Sequence, residues 1–552
     1  MIYVHVPFCR SFCTYCGFYS EICSRKDPQQ VQKRVVDDYV EALCGEIAAR
    51  REEVDAARGA GLAGARGAMP APAPSALCEA PAPIAPSSPS SPSSSFAPSA
   101  SPAFPVPPAP DTLYIGGGTP SVLPLSALER IVGAIGRADY EEFTIEVNPD
   151  DIVSGGRDYV EGLMRLGVNR ISMGVQSFDD GILRWMNRRH DAAGAREAFR
   201  LLRACGVANI SIDLIFGLSQ LSDSLWTSTV AEAIALRPEH VSAYQLSIEE
   251  GSALERMVAD GRYEEAADEQ CRRQYDILCG LLSGAGYVHY EISNWALPGR
   301  EAVHNSAYWC RVPYVGLGPG AHSFSLPASP AVSGSPSVPT SPSAPSASTP
   351  SASASFASAA PIAASSASAA ASVAFVPAAS FADAASSASA TASAHTLPDD
   401  AVPSSFGTRS WNSAELPWRG ADGLLHRWRS GQETLSEREA AEETIMLALR
   451  TSRGLPLGLL RAISPAAPVD VLLSEGALML IPSPIPVPAP IPSITPSIAS
   501  ASTPASAFTP SFASATTTSS VTDHHPIPAN SWIRIPEDHF FVSDDIIARL
   551  LP

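Results

Sequence analysis

Six short apolar segments alternate with helical patterns along this chain, and this alternation limits its possible folds more than any other feature. The segments are residues 2–6, 112–115, 142–147, 170–176, 210–217 and 240–246. Strands that alternate with helices form parallel sheets built from βαβ units. The sequence therefore predicts an α/β fold with a partial, TIM-like (β/α)6 barrel, which has fewer units than a complete TIM barrel.

Three segments rich in Pro, Ala and Ser interrupt the pattern, at about 54–110, 326–403 and 483–530. They offer little apolar surface to offset the entropy of ordering, so we expect disordered insertions. About 370 residues remain, a size typical of one large and one small domain. We predict a core barrel over 1–325 and a small α/β, winged-helix-like domain over 404–552. The first insertion falls in a helix-to-strand connection, on the barrel face opposite an active site.

Charge and cysteine content narrow the class of protein. The formal net charge is −19, and an acidic chain argues against nucleic-acid binding, which needs a basic face. The ten cysteines are not spaced as a disulfide framework, and a thiolate metal site favours a reducing compartment. We recognise no signal peptide and no apolar run of membrane-spanning length. We therefore expect a cytoplasmic protein.

Cys9, Cys13 and Cys16 form a C-x3-C-x2-C loop directly after the first strand. Three thiolates can hold three irons of a cubane cluster and leave the fourth iron open to another ligand. Zinc is the alternative, but a structural zinc site takes four ligands, usually as two separated pairs. Cys23 and His5 are the nearby candidates for a fourth ligand. The spacing favours an iron–sulfur cluster.

Polar residues recur where the other strands end: the turn 116–120, Glu146, Gln176, Asp213 and Tyr244. An α/β barrel carries its active site at these ends. The turn, Gly-Gly-Gly-Thr-Pro, lacks the lysine of a phosphate loop and the spacing of a dinucleotide fingerprint. Its glycines let a small ligand approach the backbone closely. The alternatives are a plain tight turn and, for the two acids, helix caps or barrel ion pairs.

The cysteine loop followed by Gly-Gly-Gly-Thr-Pro resembles the radical S-adenosylmethionine (SAM) superfamily. YVHVPFC at 3–9, EVNP at 146–149, RISMGVQSF at 170–178 and IDLIFGL at 212–218 resemble its oxygen-independent coproporphyrinogen oxidase family. The resemblance implies a [4Fe–4S] cluster whose fourth iron is chelated by SAM, which is cleaved to methionine and a 5′-deoxyadenosyl radical. It also implies that SAM contacts Tyr3, Gly117, Gly118, Thr119, Glu146, Gln176, Arg188 and Asp213.

That family has two branches, one that decarboxylates coproporphyrinogen III and one that binds heme and passes it to target proteins. Three features favour the heme-chaperone branch. Phe18 stands where the oxidase branch usually has another cysteine, and only two residues precede Tyr3, where that branch has an extension. HNSAYW at 304–309 matches a motif, HNxxYW, linked to heme binding in the chaperone branch. The resemblance therefore implies heme contacts from His304, Asn305, Tyr308 and Trp309.

The residues of this motif are chemically suited to heme, because a histidine ligates iron and aromatic rings offer flat apolar area. Their other interpretation is a hydrogen-bonded core histidine beside packing aromatics. The resemblance predicts a heme chaperone that keeps a SAM-binding cluster, with an oxygen-independent coproporphyrinogen III oxidase as the alternative. Expected partners are heme, recipient hemoproteins (membrane-bound ones included) and an electron donor such as a flavodoxin or ferredoxin. The sequence leaves open whether the protein forms a homodimer.

Overall fold

The computed structural model describes residues 1–22, 29–58, 109–136, 139–327, 406–420, 423–481 and 531–552. Cys23 and nearly all of the three low-complexity segments lie outside these ranges. One described part falls within the first predicted insertion. Val54 is buried in a helix that continues to Ala57, so helical chain extends past the predicted start of that segment.

Nine strands form one sheet in the described part of the chain. They are β1 (Ile2–Val6), β2 (Thr112–Gly117), β3 (Glu142–Val147), β4 (Arg170–Gln176), β5 (Ile210–Phe216), β6 (His240–Gln245), β7 (Val288–Glu291), β8 (Asn294–Ala296) and β9 (Val315–Leu317). Their order is β9-β1-β2-β3-β4-β5-β6-β8-β7. The strands from β9 to β6 run parallel. The α/β class and the six predicted strands, β1 to β6, are confirmed.

Three further strands extend this sheet. Strand β9 pairs with β1 in parallel. At the other edge, β8 joins β6 and β7 as an antiparallel neighbour of both. Strands β8 and β9 have only three residues each, too few for a hydrophobic period to reveal them. The sheet order ends at β9 and β7, so the barrel is open, as predicted.

Helices connect the strands and cover the sheet. They are α1 (Gln29–Ala49), α2 (Arg51–Ala57), α3 (Leu125–Ile135), α4 (Pro149–Arg165), α5 (Asp180–Trp185), α6 (Ala192–Ala204), α7 (Asp223–Leu236), α8 (Ala253–Ala259), α9 (Asp268–Gly284) and α10 (Val303–Trp309). Asn148 caps α4 by accepting a hydrogen bond from Asp150 N at 3.1 Å, and Asp179 caps α5 from Ile182 N at 2.9 Å. These caps satisfy backbone donors that the helices leave unpaired. None of the described helices combines the length and the apolar composition that crossing a membrane requires.

The chain that resumes at residue 406 returns to the barrel. Strands β10 (His322–Ser325), β11 (Thr408–Asn412) and β12 (Ser430–Thr434) form an antiparallel sheet in that order. The predicted domain boundary between 325 and 404 thus lies between two strands that pair with each other. The division into two domains stays a prediction.

Glu46 on α1 anchors this returning segment. Its buried carboxylate accepts hydrogen bonds from Gly318 N and Asn412 Nδ2, both at 2.9 Å, and from Trp428 Nε1 at 3.2 Å. Arg50 pairs with the same carboxylate at 3.1 Å. A buried charge is tolerated only when it is paired and hydrogen-bonded in this way. One helical glutamate therefore joins the barrel to the chain 366 residues further on.

The last part of the chain has the element order of a winged helix. It comprises α11 (Glu437–Leu449), β13 (Leu455–Pro456), α12 (Leu457–Ile463), α13 (Val469–Ser474), β14 (Met479–Ile481), β15 (Trp532–Arg534) and α14 (Ser543–Ala548). The three strands form an antiparallel sheet in the order β13-β15-β14. Ser436 and Glu439 form the capping box of α11. The ring of buried Phe540 packs edge-on against that of His289 at 5.0 Å, which ties this part to β7.

Candidate functional site

The cysteine loop lies at the carboxyl end of β1 and is fixed from the neighbouring helices. Thr14 N donates to Met186 O at 3.1 Å, and Thr14 Oγ1 donates to Trp185 O at 2.7 Å. Asn187 Nδ2 donates to Phe12 O at 2.7 Å. These bonds attach the loop to the end of α5, so the three thiols are positioned by the barrel and not by the loop alone.

The three cysteines belong to one cavity but have different neighbours. Cys9 Sγ lies 3.3 Å from Thr119 Oγ1, and Cys13 Sγ accepts a hydrogen bond from Arg188 Nη1 at 3.2 Å. Burial raises the pKa of the Cys16 thiol to about 12 and also raises the pKa of Cys9. Buried thiols therefore stay protonated until a metal displaces the proton.

The donor set of this cavity suits a cubane cluster. Such a cluster takes its thiolates one per iron, so three cysteines around a shared cavity can hold three of its irons. Cys9, Cys13 and Cys16 all line that cavity.

The glycine turn after β2 packs directly against the strand that precedes the cysteines. Gly118 N donates to Val6 O at 2.8 Å, and a Cβ on Gly118 would lie 2.7 Å from Phe8 O. Gly117 has a φ of +107°, and a Cβ there would lie 2.7 Å from the His5 ring. Because a side chain at either position would collide with its neighbour, the turn requires glycine. The absence of side chains lets the backbone of Gly117 and Gly118 line the cavity.

The two predicted acids, Glu146 and Asp213, accept hydrogen bonds from neighbouring polar groups at the cavity wall. Glu146 accepts from Tyr114 Oη at 2.7 Å and from Gly117 N at 3.1 Å. Burial raises the pKa of Glu146 to about 7, although these two hydrogen bonds act to lower it. Asp213 accepts from Ser172 Oγ at 3.1 Å, and burial raises its pKa as well. The cavity therefore presents two hydrogen-bond acceptors, and the charge of one of them, Glu146, depends on pH near neutrality.

The end of β4 is irregular where the cavity begins. The pairing register between β4 and β5 shifts between Gly174 and Gln176, which is a bulge, and Gln176 has a φ of +70°. Bulges and left-handed non-glycine residues re-aim side chains and concentrate at functional sites. Arg188 donates to Gly174 O, while its own Nε has no hydrogen-bond partner among the described residues. Strain and an unsatisfied donor therefore coincide at this edge.

One cavity of about 160 Å³ collects these groups. All three predicted cluster ligands line it, as do all of the predicted SAM contacts except Tyr3. The side chain of Tyr3 is 1% exposed, and its hydroxyl lies 3.1 Å from His5 Nδ1. Tyr3 thus lies behind the cavity wall and supports it through His5, and a contact of Tyr3 with SAM stays a prediction.

Several cavity residues were missed by the sequence analysis. Arg170, Ser172 and Gly174 line the cavity on the same strand as Gln176, and Tyr114 lines it on β2. The signal that could have found them is the strand period, because alternate residues point to the same face. Positions 170, 172, 174 and 176 follow that period, so extending it backwards from Gln176 identifies the three residues on β4.

The HNxxYW motif forms helix α10, and its histidine is buried. His304 is 1% exposed; its Nδ1 lies 2.7 Å from Thr112 Oγ1 and its Nε2 lies 2.8 Å from Tyr308 Oη. Burial lowers the pKa of His304 well below its ordinary value. Only Asn305 of the four predicted heme contacts lines the cavity. As it stands, the motif has the geometry of the core-histidine interpretation, and heme binding by these residues stays a prediction.

Comparison with known proteins agrees with this site. A family model described as the radical SAM superfamily matches residues 107–232. The chain is 30% identical over 328 residues to the heme chaperone HemW of Synechocystis sp., covering 58% of this chain and 65% of that one. It is 29% identical over 329 residues to HemW of Bacillus subtilis, covering 58% and 70%. The match thus spans slightly less than two thirds of the Synechocystis relative.

A solved structure shares the fold. Coproporphyrinogen III oxidase (HemN) from Escherichia coli, a radical SAM enzyme, aligns with a TM-score of 0.55 at 15% identity, covering 100% of this chain and 89% of that chain. The open parallel barrel, with a C-x3-C-x2-C loop and a glycine turn at one cavity, has the architecture of a radical SAM protein, and residues 107–232 match the model of that superfamily. Within the superfamily, the chain is similar to the HemW proteins, the branch that its motifs favour.

Proposed function

We propose that this protein is a heme chaperone that binds heme, delivers it to hemoproteins, and carries a [4Fe–4S] cluster and SAM in its barrel. The observation that carries the cofactor part is the single cavity shared by Cys9, Cys13, Cys16, the glycine turn and two acids. The heme part is supported by the relatives, whose names describe heme chaperones.

The residues around the cavity suit the two cofactors by their chemistry. The three thiols would hold the cluster, which would supply an electron to bound SAM. Arg188 lies against Cys13 and places a positive charge beside the thiolates. Glu146 and Asp213 offer acceptors to the amino and hydroxyl groups of SAM. The backbone of the glycine turn allows close approach.

Phe18 supports the chaperone over the oxidase. It lines the cavity two residues after Cys16, and its ring has neither a thiol to ligate metal nor a group to transfer a proton. By the family resemblance, the oxidase branch carries a cysteine at this place. Delivery requires partners outside the chain, so recipient hemoproteins and an electron donor are part of the proposal.

Three assays on one anaerobically reconstituted sample test the function. We expect saturable, stoichiometric heme binding, transfer of that heme to an apo-hemoprotein, and no conversion of coproporphyrinogen III. Turnover to protoporphyrinogen would contradict the proposal and favour the oxidase. Phe18→Cys, compared with Phe18→Leu as the matched control, shows whether a fourth thiol alone changes either result.

A further inference from the structure

We propose that Asn305 is a ligand-binding residue of the SAM cavity and that helix α10 is the cavity floor that presents it. The inference rests on the proposed SAM site. Asn305 lines the cavity together with Tyr114 and Arg170, whereas His304 and Tyr308 do not. The motif would then act through its asparagine, and its histidine would serve as the anchor.

Helix geometry separates the two roles. His304 and Tyr308 are four residues apart, so they lie on one face of α10, and their side chains are bonded to each other at 2.8 Å. That face is held against β2 through Thr112 at 2.7 Å. Asn305 is rotated by about 100° from His304 around the helix axis. Fixing the His304 face against the sheet therefore fixes the direction of Asn305.

The start of α10 is held by the same sheet. Glu142 on β3 accepts hydrogen bonds from Val303 N at 2.8 Å and from His304 N at 3.1 Å. Arg170 Nε faces this carboxylate at 4.0 Å, and both side chains are nearly fully buried. A carboxylate at a helix N-terminus satisfies unpaired backbone donors and stabilises the helix. Strands β2, β3 and β4 therefore hold the helix and also supply the cavity wall.

The amide of Asn305 adds a hydrogen-bonding capacity that the neighbouring acids lack. Ionised Glu146 and Asp213 can only accept hydrogen bonds, whereas an amide donates two and accepts others. Asn305 is half-buried, so a bond it makes to a ligand is partly shielded from water. This suits a ligand that carries donors and acceptors side by side, as the adenine and ribose of SAM do.

The test is equilibrium SAM binding to the full-length chain after anaerobic cluster reconstitution. We expect Asn305→Ala to bind SAM about tenfold more weakly than wild type, the loss of one ligand hydrogen bond to a polar group, with unchanged iron content. Ser306→Ala is the matched control, since Ser306 is the next residue on α10, is also half-buried, and is not among the residues that line the cavity. We expect its SAM affinity to stay within about twofold of wild type.

The other outcomes decide against the inference in distinguishable ways. Equal SAM affinity of wild type and Asn305→Ala overturns the role of Asn305 and leaves the SAM site intact. Equal losses in Asn305→Ala and Ser306→Ala also overturn it, because they show a general disturbance of α10. Loss of heme affinity with unchanged SAM affinity assigns Asn305 to heme instead. A wild-type protein that holds a cluster but binds no SAM overturns the proposed SAM site together with this inference.

Discussion

Two histidines at the base of the barrel and an arginine at its mouth differ in how their nitrogens are hydrogen-bonded. At the base, both ring nitrogens of His304 are hydrogen-bonded, and His240 is bonded to Ser211 Oγ at 2.7 Å and to Tyr290 Oη at 2.8 Å. At the mouth, Arg188 Nε has no hydrogen-bond partner among the described residues. Satisfied polar groups stabilise the scaffold, whereas an unsatisfied donor beside a cavity can bind a ligand. We therefore expect these histidines at the base to serve the fold and the mouth to serve the chemistry.

The largest expected effect tests the mouth. Cys13→Ser should lose essentially all of its cluster iron and visible absorbance after reconstitution, because a serine oxygen is a poor ligand for iron in a sulfur-ligated cluster. Cys205→Ser is the control, because this half-buried cysteine follows α6 and does not line the cavity. Full cluster content in Cys13→Ser would overturn the metal assignment.

The next effect tests the base. His304→Ala should lower the free energy of unfolding by about 3 kcal/mol, because it removes two buried hydrogen bonds and leaves a cavity. Tyr308→Phe should cost about 1 kcal/mol, since it removes one of those bonds. Urea unfolding of the two variants measures both. If His304→Ala were as stable as wild type, the anchor role of His304 would be wrong.

The same variants make a heme experiment interpretable. Loss of heme in His304→Ala alone does not identify an iron ligand, because the variant is also expected to be less stable. The heme titration is therefore run where urea unfolding shows both variants to be folded. Heme affinity that is lost there in His304→Ala and kept in Tyr308→Phe would identify a functional histidine and break the contrast between base and mouth.

A moderate effect concerns pH at the mouth. Burial raises the pKa of Glu146 to about 7, so its carboxyl is largely protonated below that pH and ionised above it. The ionised form attracts the ammonium and sulfonium charges of SAM, and we expect SAM affinity to rise several-fold, up to about tenfold, from pH 6 to pH 8. Glu146→Gln should remove this part of the rise. Identical pH profiles in both proteins would show that Glu146 does not contact SAM.

The smallest effect compares strain at the two ends. Gln176 at the mouth and Arg237, which follows α7, have φ values of +70° and +58°. Glycine relieves such strain, so Gln176→Gly and Arg237→Gly should each change the free energy of unfolding by only about 0.5 kcal/mol, in the stabilising direction. Only Gln176→Gly should weaken SAM binding. Equal SAM affinities for the two variants would show that the bulge at Gln176 has no role in SAM binding.

Much of the barrel could be predicted because its signals are local. The six strands are short apolar runs between turn residues, and the caps at Asn148, Asp179 and Ser436 lie next to the helices they begin. The cysteine loop and the glycine turn were also readable, since each is a short motif at a strand end. Their meeting at one cavity follows from parallel strands, whose carboxyl ends share one edge.

The base of the barrel could not be predicted in this way. Thr112 and His304 are 192 residues apart, and Glu142 lies 162 residues before the backbone amide of His304 that it accepts from. Nothing in a motif of six residues tells whether its histidine faces a ligand or a hydrogen-bond partner on a distant strand. The family resemblance favoured the ligand, whereas the packing of α10 favours the anchor.

The sequence by itself determined the class of the fold, the identity of the thiol and glycine motifs, and the end of the barrel at which they lie, because periodicity and turn chemistry act over a few residues. Only the tertiary structure decided which polar groups are already satisfied and which face the cavity. Hydrogen-bond satisfaction depends on partners brought together from distant parts of the chain, and it separates His304, whose ring nitrogens are both hydrogen-bonded, from its neighbour Asn305, which lines the cavity.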